Sequence, residues 1–343
     1  MTSNTTATHR AWRIHANGGS DQLRLDTLPM PEPGEGEVRL RVLAFGLNRS
    51  DLLWMNAIMF QPVLPSLVGY EICGVVDALG KGVTRLAVGD RVSNVAGGYS
   101  SFGEYAVLPE SALYKTPDNL SDVEGAAFTA SHMTNYCGLV EFAEVRPWQH
   151  VLITAATSSN GLSAIAFARK AGATVIATTR RKERTAMLIE AGAHHAIATQ
   201  DEDLAARVAD ITGGKGCEVI YDCVGGQLTP HLLKSIATCG HWIQYGLLDP
   251  TPVQVSWAEW FFRQPKLSFW SYTQYSGGWI GEQMGLKGRP EAFDRALRNV
   301  FQGVAERSLP IPIAKEFVGI ESLPEAFRAM EADLGGGKIA VRL

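Results

Sequence analysis

Nothing in this chain constrains its fold more than the run Val151-Leu-Ile-Thr-Ala-Ala-Thr-Ser-Ser-Asn-Gly161, an apolar strand that feeds a turn of small residues and then a helix. A dinucleotide pyrophosphate sits at such a helix N-terminus, and the turn usually carries Gly where backbone nears phosphate and where helix packs on strand. Only Gly161 stands here, at the close-packing position, while Ala155, Ala156, Thr157, Ser158 and Ser159 take the places usually given to glycine or other small residues. The pattern that follows strengthens this weak signature. Strands over 151–154, 174–178, 195–198, 217–222 and 241–245 alternate with helices over 161–171, 182–191, 202–211 and 227–237. Such alternation predicts a parallel sheet covered on both faces. Leu204, Val208 and Ile211 recur at helical spacing, and Glu218-Val-Ile-Tyr-Asp222 reads as a strand ending at the rim where doubly wound sheets hold ligands.

Residues 11 to about 125 read as β-rich. Val38, Leu40 and Val42 alternate with Arg39 and Arg41, the signature of a half-buried strand. Gly69, Gly74, Gly80, Gly82, Gly89 and Gly97-Gly98 are spaced as the turns of a barrel or sandwich require. After about residue 266 the pattern loosens, until Gly337-Lys-Ile-Ala-Val-Arg-Leu343 reads as a strand able to return to the first domain. At 343 residues, 46% hydrophobic and 19% charged, two domains are the natural expectation.

Charge and cysteine usage exclude several function classes. A net charge of -4 offers no broad basic field, so nucleic acid and anionic membranes are poor partners and small molecules better ones. No segment approaches the roughly 18 consecutive apolar residues that span a bilayer, and the polar start lacks the apolar core of a signal peptide. Cys73, Cys137, Cys217, Cys223 and Cys239 form no CxxC and are odd in number, which points to neither a disulfide framework nor a thiolate metal site. A cytoplasmic protein is expected.

The motifs Gly46-Leu-Asn-Arg-Ser-Asp51, Gly69-Tyr-Glu-Ile-Cys-Gly-Val-Val76, Val88-Gly-Asp-Arg-Val92, Gly103-Glu-Tyr105, the turn at 151–161, Ala191-Gly-Ala193 and Tyr221-Asp-Cys-Val-Gly-Gly226 follow one another in a telling order. In that order they resemble the medium-chain dehydrogenase/reductase superfamily, in particular its zinc-independent quinone oxidoreductase branch, related to zeta-crystallin. The resemblance runs from about Trp12 to Leu343. It implies an α/β protein with a flexible tail at 1–10, a GroES-like β-rich catalytic domain over 11–128 and a Rossmann doubly wound NADP-binding domain over 129–268. Residues 269–343 would then supply a dimer strand and the return to the catalytic domain.

Zinc-bearing relatives need three ligands of Cys, His or carboxylate type. Where the family pattern places Cys, this chain has Asn48; where it places His, Tyr70; and the third position falls near Ala130. Val92 to Gly103 contains no Cys, so the structural-zinc lobe is missing too. His132 lies close to the third position but has no cluster around it, and a lone histidine is more often a core or surface residue than a ligand. No metal is expected.

The end of the second Rossmann strand decides between NAD and NADP, because an acid there bonds the ribose 2'-hydroxyl and repels a 2'-phosphate. Thr179 stands at that place and Arg180 follows, with Arg181, Lys182 and Arg184 nearby. A guanidinium and a hydroxyl suit a dianionic phosphate, and cations at a helix N-terminus oppose its dipole unless an anion joins them. NADPH is the expected cofactor, although two or more of these cations could simply solvate the helix start. The resemblance places Asn48, Thr134, Thr157, Ser158, Ser159, Asn160, Gly161, Cys223, Val224, Tyr245, Gly246 and Lys338 along it. Tyr221 serves equally well as sheet core.

Without a Lewis acid, an acceptor that spreads incoming charge is easier to reduce than a simple ketone. A quinone or an α,β-unsaturated carbonyl is therefore the expected substrate. Asn48 and Tyr70 would lie near it, with Tyr136 or Tyr99 as further donors and Tyr70 the best-placed acid. Positioning alone, with no specific acid, fits equally well. The aromatic run Trp257, Trp260, Phe261, Phe262, Phe269, Trp270, Tyr272, Tyr275 and Trp279 divides between core, a homodimer contact through the strand at 267–273, and an apolar cleft shared with Trp54, Met55 and Phe60. Two other functions remain open: a trans-acting enoyl reductase of a biosynthetic pathway, and a non-catalytic NADPH-binding protein with a structural or regulatory role.

Overall fold

The computed structural model describes residues 7–343, apart from 59, 60, 96, 97, 99, 100, 278–280, 282, 283, 333 and 334. Phe60, Gly97, Tyr99 and Trp279 lie outside the described residues, as do residues 1–6 of the expected tail.

The N-terminal strands are β1 (Thr8–Ile14), β2 (Leu23–Pro29), β3 (Glu37–Gly46), β4 (Ser66–Leu67), β5 (Ile72–Leu79), β6 (Arg91–Asn94), β7 (Tyr105–Pro109) and β8 (Leu113–Lys115), with helix α1 (Arg49–Met55) after β3. The first strand begins at Thr8, inside the stretch 1–10 expected as a tail. Along β3 the predicted alternation holds: Val38 and Leu40 are fully buried and Val42 nearly so, because they face the core that Trp12, Phe45, Ile72 and Phe102 share.

Short helices α2 (Asp122–Gly125) and α3 (Thr129–Asn135) and a π-helical stretch over Tyr136–Phe142 lead into the second domain. There β9 (His150–Ile153), α4 (Ser159–Lys170), β10 (Thr174–Thr179), α5 (Thr185–Glu190), β11 (His195–Ala198), α6 (Leu204–Thr212), β12 (Cys217–Asp222), α7 (Thr229–Ser235), β13 (Ile236–Gln244), α8 (Trp257–Arg263) and β14 (Lys266–Phe269) build a six-stranded sheet. Its strand order is β11-β10-β9-β12-β13-β14, and every pairing is parallel. This is the doubly wound Rossmann sheet that the β/α alternation predicts. Helix α4 starts at Ser159 rather than 161, because Ser158 caps it by accepting from the Gly161 N–H at 3.0 Å.

The remaining elements divide between the two cores rather than forming a unit of their own. Helix α9 (Thr273–Ser276) and helix α10 (Pro290–Ala305) belong to the Rossmann side, where Ala296, Val300 and Val304 of α10 pack with Phe128 and Phe167. Strand β15 (Ile313–Val318), helix α11 (Leu323–Glu331) and strand β16 (Lys338–Arg342) return to the first domain, and β16 pairs antiparallel with β3 through Ala340 and Gly46. The dimer strand expected over 267–273 ends at Phe269 and forms the outer edge of the Rossmann sheet.

Candidate active site

The C-terminal ends of β9, β10, β12 and β13 form one rim. The Ala156 N–H donates to the Thr178 carbonyl at 2.9 Å, the Cys223 N–H to Thr154 Oγ1 at 3.0 Å, and the Tyr245 N–H to the Asp222 carbonyl at 2.8 Å. These bonds bring Thr157 to Gly161, Thr179, Cys223, Val224, Tyr245 and Gly246 to a common edge. Gly161 explains why a turn so poor in glycine still works. A Cβ there would lie 2.4 Å from Ala156 Cα and 2.6 Å from its carbonyl oxygen, so this one position sets the approach of helix to strand. Asn160 Oδ1 and Asn135 Oδ1 are buried and find no protein partner, although the Asn135 amide donates to the Asn160 carbonyl at 2.7 Å. A turn with a helix N-terminus, a required glycine and orphaned acceptors fits a dinucleotide bearing hydroxyl donors.

Asp222 closes the floor of this rim. It accepts from Thr154 Oγ1 at 2.5 Å, the Val224 N–H at 2.8 Å and the Gly225 N–H at 3.2 Å, while burial pushes its carboxyl pKa upward against these bonds. Burial also holds the Cys223 thiol at about 12, so it is a neutral wall and not a nucleophile. Tyr221 is fully buried, stacks on Tyr245 at 4.1 Å and donates to the Thr134 carbonyl at 3.3 Å; its role is core. At the end of β10, Thr179 is buried and Arg180 exposed, and Arg184 lies against Gly335, where a Cβ would come within 2.7 Å of its Nη1.

A buried charged cluster, which sequence reading missed, stands beside this rim. Glu71, fully buried, accepts from Asn48 Nδ2 at 2.9 Å, Thr129 Oγ1 at 3.1 Å and the Ala130 N–H at 2.9 Å, and pairs with Lys338 Nζ at 2.5 Å. Lys338 Nζ also reaches Asn48 Oδ1 at 2.6 Å, and the Asn48 N–H donates to Asp51 Oδ2 at 2.7 Å. The one available signal was a lone acid, Glu71, at the head of the apolar run Ile72-Cys-Gly-Val-Val76, since a buried charge needs a partner.

This cluster corrects two expectations. Lys338 does not offer its ammonium to a cofactor: it is 1% exposed and engaged by Glu71 and Asn48. Asn48 is not a hydrogen-bond donor to substrate either. Its amide protons go to Glu71 and, at 3.3 Å, to the Gly46 carbonyl, which leaves its oxygen as the group it can present.

Tyr136 needs a third correction. Its ring meets Phe167 edge-on at 5.8 Å, and the charges bearing on its hydroxyl include Glu141 and Arg295 of the α10 side of the fold, whereas those around Asn48 are Glu71 and Lys338. Tyr70 stays with the cluster, its hydroxyl 2.8 Å from Ser50 Oγ, one residue from Glu71. His132 is 1% exposed, with both ring nitrogens 3.0 Å from the Phe128 and Pro310 carbonyls, and burial lowers its pKa to about 4. It is a neutral structural residue. Among the described residues no group of three or more His, Cys, Asp or Glu could hold a metal ion, and no helix is long and apolar enough to cross a membrane.

Comparison with known proteins agrees with this geometry. An alcohol dehydrogenase GroES-like domain model matches residues 34–118, and a zinc-binding dehydrogenase model matches residues 161–279. The 2-haloacrylate reductase of a Burkholderia species is 34% identical over 68% of this chain and 72% of its own length. The quinone oxidoreductase of Pseudomonas aeruginosa is 34% identical over 67% of this chain and 71% of its own. The chain belongs to the medium-chain dehydrogenase/reductase superfamily, in its quinone oxidoreductase branch. A mycobacterial member of known structure, complexed with NADPH, superimposes with a TM-score of 0.87 at 25% identity, over 97% of this chain and all of that one. As a member of this superfamily the chain is an oxidoreductase, and its Rossmann-like fold binds a nicotinamide cofactor.

Proposed function

We propose that this oxidoreductase transfers hydride from NADPH to a quinone or an α,β-unsaturated carbonyl without a metal ion. One observation carries the reading: where zinc-bearing relatives hold their metal, this chain has Asn48, Tyr70 and Ala130, with the Lys338 ammonium 2.6 Å from Asn48 Oδ1. An ammonium already occupies that neighbourhood, and a second cation beside it is disfavoured. An acceptor that delocalises the incoming charge suits such a site, and the name of the haloacrylate reductase relative denotes an α,β-unsaturated substrate.

The residues divide the work as follows. The turn at Thr157–Gly161 would seat the pyrophosphate against the start of α4, and Thr179 with Arg180 the 2'-phosphate. The cofactor supplies the hydride. Tyr70, held by Ser50, is the group placed to deliver a proton to the reduced acceptor, and the Asn48 oxygen is placed to accept from a hydroxyl of the bound cofactor. NADPH oxidation against a panel of quinones, enals and enones, with and without a chelator, tests this. Turnover of one such acceptor unaffected by chelator supports it. Silence across the panel ends it, and tight NADPH binding with that silence points to a non-catalytic role instead.

Arg180→Ala is expected to shrink the preference for NADPH over NADH by about tenfold or more, since a charge-assisted bond is worth about 1.5–3 kcal/mol. Dissociation constants for both cofactors, measured by fluorescence, check it. The edge of the Rossmann sheet would pair with a second copy: Phe269 is 75% and Leu267 40% exposed on β14, an apolar open edge of the kind that seeks a partner strand. Phe269→Glu is then expected to halve the mass seen by light scattering.

A further inference from the structure

The segment leading into β16 touches both halves of the site. The Gly336 N–H donates to the Thr157 carbonyl at 2.9 Å, and Gly337 forms a parallel bridge with Ser158, both in the cofactor turn. The next residue, Lys338, sends its side chain into the charged cluster, with Nζ on Glu71 and on Asn48 Oδ1. A second path joins the same two places. Asn135 donates to the Asn160 carbonyl, and Thr129 and Ala130, at the other end of the same helix α3, donate to Glu71. The cluster also fixes which way the Asn48 amide faces. An ammonium on one side and a carboxylate on the other admit only one arrangement, oxygen toward Lys338 and nitrogen toward Glu71.

We propose that Lys338 is a positioning residue, which fixes the facing of the Asn48 amide and ties it through Gly336–Gly337 to the cofactor turn, so that a seated cofactor and an aligned Asn48 go together. This rests on the functional reading above for the place of Asn48, and it requires of Lys338 no contact with substrate. Glu71 is the counter-ion that lets the ammonium stay buried. Thr129 and Ala130 hold Glu71 in turn.

Lys338→Met alone strands a buried carboxylate and would confound stability with function. The informative protein is the double variant Lys338→Met/Glu71→Gln, which removes both charges together, read by melting temperature, NADPH dissociation constant, kcat and acceptor KM. The expected result is a melting temperature near the parent's, NADPH binding weakened about three- to tenfold, kcat lowered about tenfold or more and acceptor KM within about twofold. A double variant with parental NADPH affinity and kcat overturns the proposal, because the pair then positions nothing that cofactor binding or turnover needs. Should that variant not fold, Lys338→Arg decides. This variant keeps the charge and shifts the contact, so a stable protein with the same loss of affinity and kcat upholds the proposal and parental behaviour overturns it. If the parent turns over no acceptor, the failure belongs to the functional reading, and the NADPH dissociation constant alone decides the role of Lys338.

Discussion

Gly161→Ala is expected to abolish cofactor binding and to destabilise the fold by at least about 3 kcal/mol, the upper range of overpacking at a site that cannot yield. The added methyl would meet backbone atoms of Ala156, 2.4 Å from Cα and 2.6 Å from both C and O. No rotamer change relieves a clash with main chain. Either α4 tilts away from β9 or the turn at Ala156–Ser158 shifts, and both disturb Ile165 and Ala168, which sit fully buried in the core beneath. The turn also carries the Ala156 N–H to Thr178 bond that aligns it with Thr179, so the residues proposed to seat the phosphates would move together. Thermal unfolding with and without NADPH measures both effects. The expected fall in melting temperature is roughly 6–12 °C, with loss of the rise that NADPH gives the parent. A variant that melts like the parent and still gains stability from NADPH would falsify the close-packing role of Gly161.

The second large effect concerns pH. Asp51 is fully buried, and burial pushes its carboxyl up to about 8, against the Asn48 N–H bond and the Lys338 charge that pull it down; the Glu71 charge adds to the rise. The native protein therefore keeps a proton on Asp51 up to pH ~8, whereas the unfolded chain releases it near the ordinary ~3.9. Between those values the native state binds more protons, so this contribution to stability is complete below the unfolded pKa and drains away as pH rises toward 8. Asp51→Asn keeps an acceptor for the Asn48 N–H and has no proton to lose. Relative to the parent, the variant should gain about 2–4 kcal/mol between pH 5 and pH 8, from a slope of about 1.4 kcal/mol per unit discounted for relaxation. Urea unfolding of both proteins at the two pH values reads the difference. An unchanged gap would mean that Asp51 is ionised in the native state throughout.

The two-part α/β architecture and the strand–turn–helix at 151–161 were legible because they rest on local periodicity. The β/α alternation from Val151 onward needs only neighbours in sequence, and Gly161 marks its own close approach. Residues whose role depends on distant partners were not legible. Lys338 in sequence is one cation at the head of a strand, and resemblance placed it on the cofactor; its partners Glu71 and Asn48 lie more than 260 residues earlier. Tyr136 failed for a related reason. The helix it opens is π-wound, which turns its ring toward Phe167, and nothing in the spelling Tyr136-Cys-Gly-Leu announces that winding. Helix α10 looked like part of a separate terminal region because loop lengths conceal which core its apolar stripe joins.

Strand β16 has a consequence for how the protein comes into being. Ile339 and Val341 fill the same core as Val38, Leu40 and Phe45, and Lys338 neutralises a charge, Glu71, already committed to that interior. The first sheet is thus synthesised early and left incomplete at the end of β3 while the whole Rossmann domain emerges, on the order of 10–50 s at ~5–20 residues per second. During that interval Glu71 has no counter-ion and the end of β3 at Ala44–Gly46 lacks the partner that β16 supplies. The second domain can fold on the ribosome as a local unit, but the first must wait. The site between them is assembled last, in the step that docks β16 on β3.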